Sequence, residues 1–132
     1  NTMPEIQLSD LKITKMTSEG WITAPLSESP YYECIRIIHE EQDGIKARNV
    51  FIDYMKDMFL YDTRDGKICE ISWSRFLGLY QLMQTEGLIQ PDRNELRIDS
   101  NMEIHDGQHR LAIWYAMGNE YIYIDDFWNP EE

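Results

Sequence analysis

The residues best suited to chemistry stand together near the end of the sequence: Asp106, Gly107, Gln108, His109 and Arg110. Before them, residues 102–105 alternate as a strand does, with Met102 and Ile104 on one side and Glu103 and His105 on the other. After them, Leu111, Ala112, Tyr115 and Ala116 recur at helical spacing. A glycine turn that hands a His-Arg pair to a helix start predicts an anion site, above all for phosphate. Helix N-termini present unpaired backbone N–H groups and a partial positive charge. Arg110 adds a planar fork of donors, and His109 adds a donor that titrates near neutral pH. Gly107 permits a left-handed turn or a close backbone approach. The same residues have structural uses too. A strand-turn-helix joint takes a glycine in any case, Asp106 can cap the helix, and Arg110 can pair with Glu103 or Asp99.

The elements that must position this turn follow from periodicity and punctuation. Residues 6–16 read as extended, Ser18-Glu19-Gly20 as a turn, and 21–26 as irregular or a short strand. Ser29-Pro30 is the signature of an N-cap followed by proline at the first helical position. Tyr31, Cys34, Ile35 and Ile38 then repeat at helical spacing, with Asp43-Gly44 as the stop. A second helix is predicted over 47–60 and a turn over 63–66. Residues 67–72 read as a short strand or extended connector. A third helix follows over 73–84, capped by Ser72 or Ser74 and ended by Gly87. Residues 88–91 leave in extended form and 92–94 form a loop. Two strands, 96–98 and 102–105, flank the turn Asp99-Ser100-Asn101. The last helix covers 108–117, and Tyr121-Ile122-Tyr123-Ile124 alternates like a strand with one buried face. Strands and helices are interspersed without an internal repeat, which predicts a single α+β domain with a small mixed sheet and packed helices.

Charge narrows the choice of partner. The 132 residues carry 12 Lys and Arg against 24 Asp and Glu, a net charge of −12. Such a surface repels nucleic-acid backbones and anionic membranes at long range, so nucleic acid is disfavoured for this chain alone. An anion site must then be a local exception built from a few placed cations. No apolar run approaches the roughly 18 residues of a membrane span, and the N-terminus lacks a basic-then-apolar signal pattern. Cys34 and Cys69 form no CxxC pair and read as small apolar residues, which suits the cytoplasm. His39, His105 and His109 are too dispersed for a structural zinc site. Tyr31-Tyr32 and Trp114-Tyr115 could stack on a base or sugar, although aromatics at helical spacing are more often core.

Order and spacing carry a resemblance. Gly87-Leu88-Ile89-Gln90-Pro91, a strand pair, Asp106-Gly107-Gln108-His109-Arg110, a helix with Ala112 and Gly118, and an apolar closing strand together resemble the core of the ParB/sulfiredoxin superfamily. The likeness spans 73–124 and divides the chain into an N-terminal strand and helical part (1–70), the core (71–126) and an acidic tail (127–132). It implies nucleotide chemistry with ATP or CTP and Mg²⁺. Gly107, Gln108, His109 and Arg110 would hold the phosphates, with Ser74 and Arg75 near the third helix start as further contacts. Asp106 would serve as metal ligand or as the catalytic carboxylate. The departures narrow the choice. Gln108 stands where sulfiredoxins carry their reactive cysteine, so sulfinic-acid reduction is not expected. A helix-turn-helix module like that of partition proteins is not expected within these 132 residues, so chromosome binding by this chain alone is not expected. Two expectations result: an NTP-dependent phosphotransferase or NTPase acting on a small-molecule or sugar-type acceptor, or a non-catalytic nucleotide-sensing or DNA-associated, nuclease-type module. Neither fixes an oligomeric state.

Overall fold

Among the described residues, three short antiparallel strand pairs and four α-helices share one hydrophobic interior. The computed structural model describes residues 4–58, 67–88 and 96–129, and the predicted turn at 63–66, the loop at 92–94 and most of the extended exit at 88–91 lie outside them. The elements are β1 (Glu5–Gln7), β2 (Lys12–Thr17), β3 (Gly20–Pro25), α1 (Pro30–Arg36), α2 (Gly44–Met58), α3 (Lys67–Glu86), β4 (Arg97–Ile98), β5 (Ile104–Asp106), α4 (Gln108–Ala116) and β6 (Tyr121–Tyr123). The residues sealed from solvent come from both ends of the chain: Leu8, Leu11, Ile13 and Leu26 meet Ile35, Phe51, Phe76, Ile98 and Leu111. This continuous core makes the chain one α+β domain.

The strands of the expected small mixed sheet form three two-stranded antiparallel ladders, β1 with β6, β2 with β3 and β4 with β5. One parallel bridge, Lys12 to Glu103, ties β2 to the hairpin that carries β5. In the first ladder Ile6 faces Ile122, and both are buried, while Tyr121 and Tyr123 stay exposed. The period-2 pattern of the last strand therefore fixes its register.

Ser29 begins α1 as its sequence implies. Its Oγ accepts the Tyr31 N–H at 3.2 Å, and Pro30 occupies the first turn, where a missing N–H costs nothing. The helix then widens to a π-helical turn, Ile37–Glu41. Arg36 spans this widening through ion pairs to Glu33, Glu40 and Glu41. Gln42, with φ of 52°, is the stop. Asp43-Gly44 opens the next helix instead of closing this one. The Asp43 carboxylate accepts the Lys46 N–H at 3.0 Å, so an Asp-Gly pair that reads as a turn acts as an N-terminal cap. The end of the helix predicted over 47–60 runs beyond the described residues.

The strand or connector expected at 67–72 is helical, and Ser72 and Ser74 lie inside α3 rather than at its cap. Trp73, Phe76, Tyr80 and Met83 are buried at spacings of three and four and anchor the helix. β-Branched Ile68 and Ile71 favour strand locally, but adding residues to an established helix is easy. Gly87 ends it at φ of 78°, its N–H bonding to Met83 carbonyl at 2.9 Å.

No helix among the described residues is long and apolar enough to cross a membrane.

Candidate functional site

A cleft of about 420 Å³ opens where β5 turns into α4. Asp106, Gly107, Gln108, His109 and Arg110 all line it, so the structure gathers the predicted turn around one open space. Tyr31 from α1, Leu79 from α3 and His105 from β5 supply its other walls.

Gly107 sits at φ of 91° and ψ of 17°, the left-handed region that favours glycine, and it is the residue preceding α4. Its carbonyl accepts the Leu111 N–H at 3.0 Å, closing the first turn. As the N-cap residue, Gly107 offers no side chain to cap this helix start. Asp106, which sequence allowed as the cap, lies one residue too early and is exposed on the cleft wall. The first turn of α4 lines the cleft, and a helix start is a place where backbone N–H groups can meet an external anion.

The orientation of α4 is set from beneath. Leu111, Ala112 and Ile113 are buried, which fixes the helix on the core. His109 is exposed to solvent at the cleft, with one face of its ring against aromatic side chains. Its ring meets Tyr31 at 4.1 Å between centroids and Phe76 at 5.5 Å, both edge-on. Desolvation of the ring by these neighbours, and then the Arg110 charge, holds its pKa below the ordinary histidine value, although part of the side chain is open to solvent. Gln108 is held by Ser29, whose Oγ lies 3.2 Å from its Nε2. Ser29 is fully buried, and so ties the start of α1 to the start of α4. Tyr31 belongs to an aromatic group with Phe51, Tyr54 and Phe76. Burial, reinforced by Tyr54 and Cys34, pushes its phenol pKa well up, so it remains a neutral O–H.

Other sequence candidates fall elsewhere. Ser74 and Arg75 line a separate depression with Glu70 and Ile71. Along α3, Leu79 reaches the cleft one turn beyond Arg75. Asp99, considered as a partner for Arg110, instead bonds His105, with Oδ2 and Nε2 2.7 Å apart. Partial burial works against the Asp99 charge, but the bond from His105 and the N–H groups of Glu103 and Asn101 outweigh it, and its pKa stays below the usual aspartate value. Tyr31, expected as a core position of its helix or a stacking residue, is a buried cleft wall, while Tyr32 packs at a tilt against Tyr115, with ring centroids 5.1 Å apart. Cys34 is buried and its thiol donates to the Ala47 carbonyl at 3.3 Å, a packing role; burial, then Glu33, pushes its pKa up to about 12. Trp128 is not part of a solvated tail. Its N–H bonds to the Ile98 carbonyl at 2.8 Å, and its ring lies 4.6 Å from that of His105.

Sequence reasoning did not reach Leu79 or the Ser29–Gln108 contact, because nothing local marks a meeting across 79 positions. It had a signal for His105, which the strand alternation placed opposite Ile104.

No family model, curated protein or solved structure matches this chain.

Proposed function

We propose that the cleft binds the phosphate tail of a nucleoside triphosphate, ATP or CTP, and that the chain is a phosphotransferase acting on a small-molecule or sugar-type acceptor. One observation carries this reading. The left-handed Gly107, the uncapped start of α4, His109 and Arg110 converge on one open space in a protein of net charge −12. A concentration of donors against that background marks an anion site. The ParB/sulfiredoxin resemblance names the anion as a nucleotide phosphate.

The roles follow from the geometry. The α4 amides and the Arg110 guanidinium bind phosphate oxygens, and His109 donates from a ring held by Tyr31 and Phe76. Ser29 holds Gln108 at the rim. Asp106, exposed on the cleft wall and unused as a cap, takes the acceptor proton or supplies one carboxylate to Mg²⁺. Asp106 offers one carboxylate of the kind Mg²⁺ takes, and such an ion would otherwise be held through the nucleotide's own phosphates. Bound there, Mg²⁺ supplies charge neutralisation at the transferring phosphoryl group.

A thermal-shift series with ATP, ADP, CTP and GTP, each with Mg²⁺, tests the binding. Stabilisation by a triphosphate that is lost in the His109→Ala, Arg110→Ala double variant supports the site. Acceptor-dependent release of the nucleoside diphosphate with phosphorylation of the acceptor, abolished by Asp106→Asn, supports the transfer. Binding without turnover across an acceptor panel favours a nucleotide sensor instead.

A further inference from the structure

The hairpin that leads into the cleft carries a second donor set that phosphate binding leaves unused. One ligand atom from each of Asp99, Glu103 and His105 lies within 4.8 Å of the other two. We propose that these three side chains bind a divalent transition-metal ion, Zn²⁺ or Mn²⁺, at the edge of the cleft.

The donor chemistry selects the class of ion. Two carboxylates and an imidazole suit first-row transition metals, whereas Mg²⁺ and Ca²⁺ prefer oxygen throughout. The spacing is close to what coordination requires. Asp99 Oδ2 and His105 Nε2 are 2.7 Å apart. Two donors each about 2.0–2.2 Å from an ion stand about 3 Å or slightly more apart, so the pair need open by only a few tenths of an ångström. The metal takes the place of the hydrogen bond between them.

Glu103 gives the independent indication. Its carboxylate is half-buried, stands beside that of Asp99, and has no hydrogen bond or ion pair among the described residues. Two neighbouring carboxylates repel, and a cation between them removes the repulsion. The frame is already rigid. Asp99 Oδ1 accepts the N–H groups of Asn101 at 2.8 Å and Glu103 at 3.1 Å, which leaves Oδ2 for a ligand role. The Lys12 N–H holds the Met102 carbonyl at 2.8 Å, next to Glu103, and Trp128 packs on the His105 ring. His105 also lines the cleft, so the ion would sit beside whatever anion binds there.

The test uses untagged full chain, stripped with EDTA and titrated calorimetrically with ZnCl₂ and MnCl₂ in the absence of nucleotide. One ion per chain is expected. Losing even an outer partner of a metal ligand commonly costs about 10–100-fold in affinity, so Asp99→Asn, Glu103→Gln and His105→Ala should each weaken binding at least that much. Asp99→Asn keeps an oxygen for the two N–H groups, and Glu103→Gln alters no hydrogen bond of the described residues. These two variants therefore decide the matter if His105→Ala misfolds. No one-to-one binding of either ion, or binding untouched by Asp99→Asn and Glu103→Gln, overturns the proposal. Nucleotide binding is measured separately, so failure of either site leaves the other standing.

Discussion

His109 is the residue on which the account turns, because its position makes opposite demands in the free and bound states. Desolvation of the packed ring face and the Arg110 charge depress its pKa, so the folded chain favours the neutral ring. The stability this gives is fully present above about pH 6.5, the ordinary histidine value, and is lost as pH falls through the lower folded value. The melting temperature without ligand should therefore fall more steeply below that pH in the wild type than in His109→Asn. A bound phosphate reverses the preference, since it stabilises the imidazolium. Phosphate-tail affinity should rise as pH falls from 8 to 6, with proton uptake on binding in the wild type and less in His109→Asn. Calorimetry in two buffers of different ionisation enthalpy checks both. An affinity independent of pH would place His109 outside the site.

The element that matters most is the β5–α4 joint, where local chemistry and tertiary packing agree. Gly107 holds a left-handed conformation that costs other L-residues about 1–2 kcal/mol. Gly107→Ala should lower unfolding free energy by about that amount in urea melts and weaken anion binding by tilting the first turn of α4. This joint was readable in the sequence because glycine, apolar spacing and strand alternation each report on the few residues around them. The Ser29-Pro30 helix start and the buried face of β6 were readable for the same reason. Residues 67–72 were misread because local β-branched preference pointed one way and the packed stripe of Trp73, Phe76 and Tyr80 the other. Asp43-Gly44 was misread because a turn signal does not say which neighbouring helix it serves. The candidate site divides likewise. Its contiguous residues, 106–110, were visible, whereas Tyr31 and Leu79 enter through the packing of α1 and α3, which no local pattern encodes. Ser74 and Arg75 came from resemblance alone and line a different depression.

For the whole molecule, charge and core set the limits. A single interior spans the chain, so the cleft, built from α1, α3, β5 and α4, exists only when the domain is folded. The net charge of −12 surrounds that cleft with a repulsive field for polyanions. A duplex DNA probe should show no retention in gel shift at about 150 mM salt, because affinity for phosphate backbones needs many released counterions. Tight DNA binding at that salt would instead favour a DNA-associated module. A nucleotide differs, since it needs only one small basic pocket and little contact with the acidic exterior.

The most direct measurement is calorimetric titration of ATP and CTP, with Mg²⁺, into the wild type and into the His109→Ala, Arg110→Ala variant. The account predicts one triphosphate per wild-type chain and loss of that binding in a variant that melts as cooperatively as the parent. Equal binding by both proteins, or none by the wild type, would contradict it.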